Sequence, residues 1–251
     1  MLITIEGIDA SGKATLSKAL AQSFPRMERV AFPIYETELG TAILGHLKGE
    51  WHAQNTFTFE EVSAFESETL DQVLDGRSRS VHDARALQCM MTVNRYEAVP
   101  MIVNLMHRDN AVVFDRWWMS GVAYGQADGL DPDWLEAIHC GLPPVSLALL
   151  VDVPVSTSME RRPERRDRYE ANPGFLEQVR KNYQSLWTRH MDAGHNWVVL
   201  DGTQTPEQVL EQAVHEVRRT ATQAAQAFMD AQKRIITPDQ IRPNIIIGGK
   251  S

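Results

Sequence analysis

The chain has 251 residues, 43 % of them hydrophobic, which suits one large α/β domain or two small ones with a full core. A net charge of −8 argues against broad attraction to nucleic acid, and no apolar run approaches the ~20 residues that a bilayer crossing needs. The two cysteines, Cys89 and Cys140, form no disulfide framework and point to a cytoplasmic protein; the chain enters an apolar run at once, so no signal peptide is expected.

Met1 to Glu6 (MLITIE) predicts a first strand, and the apolar spacing of Leu16, Ala19, Leu20 and Phe24 predicts a helix over Leu16 to Phe24. Glu28 to Phe32 reads as a second strand stopped by Pro33, and Glu36 to Lys48 contains a short helix. Gly49 to Phe59 has no clear period. Glu60 to Leu74 reads as helical, Gly76 to Ser80 (GRSRS) as a polar break, and Val81 to His107 as a long helix with a bend at Pro100. Ala111 to Phe114 is a buried-strand pattern ending in Asp115. Pro132 to Cys140 is a short helix capped by Asp131, and Val145 to Val153 is the most continuous strand signal of all. Helices follow at about 155–161 and 173–192, then a last strand, Trp197 to Leu200, and a helix from Pro206 to Lys233. Alternating strands and helices predict a three-layer α/β fold: a parallel sheet of about five strands with helices on both faces. Ligands should then sit at the carboxyl ends of the strands.

The chemistry gathers at those ends. Gly7 to Thr15 (GIDASGKAT) lies between a strand and a helix, the context of a phosphate-binding loop. Gly7 and Gly12 let backbone N–H groups turn inward, the helix N-terminus adds partial positive charge, and Lys13 adds a full one. The pattern asks for Ser or Thr after the lysine, to hold Mg²⁺; here that residue is Ala14, and Thr15 comes one place late. The bland reading is a glycine turn with a surface lysine. Asp115-Arg116 closes the AVVF strand on the same edge, where an acid can order Mg²⁺ and an arginine can clamp a phosphate; the bland reading is a surface ion pair. Arg161 to Tyr169 (RRPERRDRY) holds five arginines in nine residues, either a solvated face laced with ion pairs or a lid that closes over transferring phosphates. Asn94 to Glu97 and Phe32 to Tyr35 would each be ordinary alone.

Together these pieces resemble the thymidylate kinase family of nucleoside monophosphate kinases. The residues that carry the resemblance are IEGIDASGKAT at 5–15, AFPIYETELG at 31–40, NRYEAVP at 94–100, DRWWMSGVAYG at 115–125, GLPPV at 141–145 and RRDRYE at 165–170. They occur in the family's order and cover most of residues 1–201. The resemblance implies magnesium-dependent transfer of the ATP γ-phosphoryl group to a deoxypyrimidine monophosphate, by a homodimer. It implies that Gly7, Ala10, Ser11, Gly12, Lys13, Ala14 and Thr15 hold the ATP phosphates. Arg116 would hold the acceptor phosphate, with Phe32 and Tyr35 beside it. Arg95 would bind the base edge, Tyr124 would lie beside the deoxyribose, and Met91 would stand where the family's phenylalanine stacks on thymine. Asp9, the loop acid, would lie near the acceptor's sugar and phosphate, Asp167 and Tyr169 would lie at the lid end near the acceptor, and the metal would lean on Asp9, Asp115 or Glu170. Some relatives carry a helper arginine in the loop where this chain has Ala10, so the lid must supply it. The candidates are Arg161, Arg162, Arg165 and Arg166, and the catalytic set is Lys13, Asp9, Arg116, Arg162 and Arg166.

Three departures shape the alternatives. Ala14 removes a hydroxyl ligand, and Ile34 sits where related turns carry an arginine. Met91, softer than phenylalanine, admits dUMP or a 5-modified dUMP in place of dTMP as acceptor. A rival of another class is a regulatory nucleotide-binding protein that has lost catalysis. The expected kinase domain spans 1–219, with an insertion at about 50–82 and a lid at about 160–172. A C-terminal extension, 220–251, ends in NIIIGGKS, which resembles a phosphate loop only superficially.

Overall fold

The structure, a computed structural model, describes residues 1–48, 76–108, 110–162, 169 and 172–235, with 76–82 and 233–235 described by backbone alone. Five strands form one sheet: β1 (Leu2–Glu6), β2 (Met27–Ala31), β3 (Ala111–Asp115), β4 (Leu147–Asp152) and β5 (Trp197–Asp201). Their order is β2-β3-β1-β4-β5, and every neighbouring pair is parallel. β1 is therefore central, with Ile5 in register with both Asp115 and Leu149.

The inner strands β1, β3 and β4 are almost continuously apolar because both their faces are covered, whereas the edge strands β2 and β5 are only partly buried. Ile3 and Ile5 of β1, with Leu147, Leu149 and Val151 of β4, point to one face. There α1 (Lys13–Gln22) and α8 (Pro206–Ile235) bring Leu16, Leu20, Val209, Ala213 and Val217. Leu2, Phe114, Ala148 and Leu150 point to the other face. That layer is built by α3 (Gly76–His107), α4 (Trp118–Ala127) and α7 (Pro173–Asp192), which bury Ile102, Met119, Val122, Tyr183 and Trp187. The period of two along each strand thus sorts side chains into two cores. A third cluster, Ile43 and Leu47 of α2 (Glu38–Leu47) with Leu87 and Tyr169, lies beyond the carboxyl edge.

Local chemistry sets several helix starts. Thr37 caps α2 by accepting from the Gly40 N–H at 2.9 Å. Asp131 caps α5 (Pro132–Ala137) and Asn172 caps α7, each with proline at the first turn. α6 (Val155–Arg161) follows β4 directly.

The expected strands and most of the expected helices are present within one to three residues. One expectation fails. GRSRS does not break the chain: α3 runs unbroken from Gly76 through Pro100 to His107. Only Gly76 in that stretch disfavours a helix, and it stands at the helix's first position. The helix after Asp131 ends at Ala137, not Cys140. α4 was not expected at all. The helix expected at 60–74 and the end of the tail, 236–251, lie outside the described residues.

Candidate active site

β1 delivers the chain into the glycine loop at the centre of the sheet's carboxyl edge. Gly7 has a φ of 144° and Gly12 one of 105°, both in the region that favours glycine. A Cβ on Gly7 would come within 2.5 Å of the Val151 carbonyl oxygen, so the loop lies flush against β4. Lys13 opens α1 and is 5 % exposed, its Nζ donating to the Ile8 carbonyl at 2.6 Å. Burial and the neighbouring Arg116 lower Lys13 to about 8. The loop is braced from behind by α6. Ser158 Oγ donates to the Asp9 carbonyl at 2.6 Å, and Arg161 forks onto the carbonyls of Ser11 (3.2 Å) and Gly202 (2.7 Å). Arg161 thus bolts the loop to the turn after β5.

β3 delivers Asp115 and Arg116 to the same edge. Arg116 has a φ of 70°, unusual for a residue with a Cβ, and its N–H bonds the Ile5 carbonyl at 3.0 Å. Its guanidinium pairs with Asp9 and donates to the Gly7 carbonyl and the Tyr124 hydroxyl, each at 3.3 Å. The Tyr124 hydroxyl in turn donates to Asp9 at 2.7 Å. Burial acts to raise Asp9, but Arg116 and then Lys13 outweigh it and hold the carboxyl below its ordinary value. Asp115 is engaged on one oxygen, by Arg29 at 2.5 Å and Ser17 at 3.4 Å.

Two cavities meet at Asp9 and Arg116. The larger, about 940 Å³, is lined by Lys13, Ala14, Thr15, Asp115 and Arg162, and Tyr35 stands at its rim. The smaller, about 110 Å³, is walled by Phe32, Met91, Arg95, Tyr124 and Tyr169. A third, about 570 Å³, opens behind the loop between Ser11 and Gly202. Residues taken from six separate stretches of sequence are therefore brought to one place. Arg165, Arg166, Asp167 and Glu170 lie outside the described residues. Tyr169 is held by its hydroxyl, which donates to Asp128 at 2.7 Å, and by stacking on Phe175 at 4.8 Å between centroids.

The smaller cavity has an unusual wall. Arg95 is 3 % exposed and makes no ion pair among the described residues. Its side chain meets His139 Nε2, 3.4 Å from Nη1, and burial lowers the guanidinium to about 10. A buried cation with no carboxylate in contact among the described residues, only the field of Glu6, calls for acceptor oxygens from a ligand. On the same helix, Asn94 accepts from the Ile34 N–H at 2.8 Å and donates back to the Ile34 carbonyl at 3.1 Å, fixing the FPIY turn as a wall of both cavities.

Sequence reasoning missed Glu6, Arg29, Asn94 and His139. Of these, Glu6 left a signal as an acid closing an otherwise apolar strand, and Asn94 as the first residue of the NRYEAVP stretch. The others matter through long-range contacts that no local pattern encodes.

A thymidylate kinase family model matches residues 37–213. The chain belongs to the thymidylate kinase family. It is 32 % identical to a probable thymidylate kinase of Metallosphaera sedula over 207 residues, 80 % of this chain and 84 % of that one. It is 28 % identical to the human thymidylate kinase over 229 residues, 89 % of this chain and 90 % of that one. Among solved structures, a thymidylate kinase of Candida albicans shares the fold, with a TM-score of 0.64 at 23 % identity, over 87 % of this chain and 92 % of that one. As a member of this family the chain is a nucleoside monophosphate kinase, with the five-stranded parallel fold expected of one.

Proposed function

We propose that this protein transfers the γ-phosphoryl group of ATP to dTMP, giving ADP and dTDP. One observation carries the reading: Lys13 and Arg116 flank a single carboxylate, Asp9, where a phosphate-loop cavity meets a small pocket walled by a buried arginine. The named relatives, all called thymidylate kinases, support dTMP as the acceptor.

In this reading the loop amides and Lys13 hold the ATP phosphates in the larger cavity, and the adenine side lies towards the cavity bounded by Arg161 and Gly202. Arg116 holds the dTMP phosphate, and Arg95 meets the base. A phosphate oxygen of dTMP attacks the γ-phosphorus as the bond to the β-phosphate oxygen breaks. The attacking oxygen is already anionic, so no strong base is required; the chain aligns the two phosphates and neutralises their charge. Asp9 fixes Arg116 at the junction, and Tyr124 holds Asp9 from the sugar side. Arg162 lines the larger cavity and is the lid arginine we assign to the transferring group, with Arg166 its expected companion.

A magnesium ion fits the donor set in part. Ala14 offers no hydroxyl, and both oxygens of Asp9 are engaged. Asp115 lines the larger cavity, and its Oδ1 takes no hydrogen bond among the described residues, so Asp115 is the group to hold the ion, with Glu170 the expected second acid. Bound Mg²⁺ supplies charge neutralisation on the ATP phosphates. The family resemblance also brings a homodimer, acting in the cytoplasm, into the proposal.

An ADP-release assay with dTMP, dUMP, 5-hydroxymethyl-dUMP and dCMP tests the reading. We expect dTMP to turn over fastest, and Lys13→Ala and Arg116→Ala each to lose about 10²–10³-fold in kcat/KM while remaining folded. Faster turnover of another acceptor would reassign the substrate, and no turnover with any of the four would leave a nucleotide-binding protein without catalysis.

A further inference from the structure

Two polar atoms on the wall of the small pocket have no partner among the described residues. The side-chain carbonyl of Gln88 accepts no hydrogen bond, and Nε of Arg95 donates none, although each residue is only 3 % exposed. They are seven residues apart on α3, so two helical turns put them on one face, with Met91 between them on the same wall. Leaving such groups unpaired is costly, and native interiors rarely do so without a ligand or water to complete them.

The surrounding groups are already committed. The Thr92 hydroxyl donates to the Gln88 backbone carbonyl at 2.7 Å. His139 Nδ1 donates to the Leu135 carbonyl at 2.6 Å, so Nε2 is an acceptor facing Thr92 at 3.0 Å and Arg95 at 3.4 Å. Across the pocket α4 carries Gly121, where a Cβ would lie 3.1 Å from the Gln88 carbonyl oxygen and 2.9 Å from His139. α4 thus packs closely here and brings backbone, but no side-chain donor, to the Gln88 carbonyl.

An acceptor beside a donor is complementary to an N–H beside a C=O. A 4-oxopyrimidine presents that pair at N3 and O4; a 4-aminopyrimidine presents the reverse. We propose that Gln88 is a specificity-determining residue: its carbonyl accepts the base N3–H while Arg95 donates to O4, selecting 4-oxo over 4-amino pyrimidine monophosphates. Turning the Gln88 amide over does not rescue a 4-amino base, because Arg95 has only donors to offer the amino group. The inference rests on the small pocket being the acceptor-base site.

Equilibrium binding and steady-state kinetics with dTMP, dCMP and N3-methyl-dTMP test it, on the wild-type chain, Gln88→Leu and Gln88→Glu. The wild type should bind dTMP about tenfold or more tightly than either analogue. Gln88→Leu should raise the dTMP KM about tenfold, leave the ATP KM unmoved and shrink the dTMP-to-dCMP ratio by a similar factor. Gln88→Glu, which keeps an acceptor, should retain preference for dTMP. An unchanged ratio in folded Gln88→Leu overturns the proposal. So does N3-methyl-dTMP binding to the wild type as tightly as dTMP, a result that needs no variant. Wild-type turnover of dTMP with unmoved ratios defeats the role of Gln88 alone; absence of binding by every pyrimidine monophosphate defeats the site reading and this inference together.

Discussion

Glu6 ends β1, and none of it reaches solvent. Its carboxylate accepts from the Trp117 N–H and Ser120 Oγ at 2.6 Å each, from the Tyr183 hydroxyl at 3.0 Å and from Thr4 at 3.1 Å. Burial raises its pKa, and these donors act against that rise. The amide it holds belongs to the residue after Arg116, whose left-handed backbone persists only if its surroundings fix it. Glu6 therefore aims Arg116 without touching the cavity. Glu6→Ala removes the acceptor of four buried donors and should cost about 3 kcal/mol or more in urea unfolding, with Glu6→Gln costing less. A loss under about 1 kcal/mol for the alanine variant would remove Glu6 from this role. The contrast with Lys13 and Arg116 explains what could be read from the chain. Those two announce themselves by a glycine loop and by a charged pair closing an apolar strand. Three of the four partners of Glu6 lie 111, 114 and 177 residues away, a separation that leaves no local mark.

At the scale of elements, the helix that escaped prediction is instructive. α4 reads WMSGVAYGQA, with two glycines that depress intrinsic helicity and blur its period. The glycines are required by neighbours. A Cβ on Gly121 would meet His139, and one on Gly125 would come within 2.6 Å of Leu135. Close packing of α4 against α5 and the segment after it stabilises a helix that its own propensity does not. His139 at this junction is held neutral: burial, and then Arg95, lower it to about 3. Its folded pKa lies below its unfolded value, so the unfolded chain takes up the proton first, and stability falls as pH drops below about 6.5 towards 3. His190, lowered to about 4 chiefly by burial, acts in the same direction, so the wild type alone does not isolate His139. His139→Gln does. Between pH 7 and 5 the variant should lose about 1–2 kcal/mol less than the wild type in urea unfolding. Parallel pH dependence of the two proteins would show that His139 titrates normally.

At the scale of the molecule, α3 faces two ways. Its inner side supplies Ala84, Leu87, Ala98 and Ile102 to the interior and Gln88, Met91 and Arg95 to the small pocket. Its outer side leaves Val93, Tyr96 and Met101 between 37 % and 49 % exposed, at spacings of three and five residues that fall on one broad arc. An apolar helix face of this kind is where a second copy of the chain would pack. We therefore expect the protein to sediment as a pair of 28.3 kDa chains, and Val93→Glu with Met101→Glu to sediment as single chains with an unchanged near-ultraviolet spectrum. A wild-type chain that sediments singly at tens of micromolar, or a double variant that stays paired, would refute an interface on α3. The same helix carries the base wall, so pairing and acceptor binding should be linked. The partner would hold α3 from outside against the pocket that Gln88 and Arg95 line from inside, whereas the phosphate loop, on β1 and α1, lies in another layer. The single-chain variant should then show a raised KM for dTMP and an unchanged KM for ATP, and equal loss in both would mean that the substitutions act on the fold as a whole.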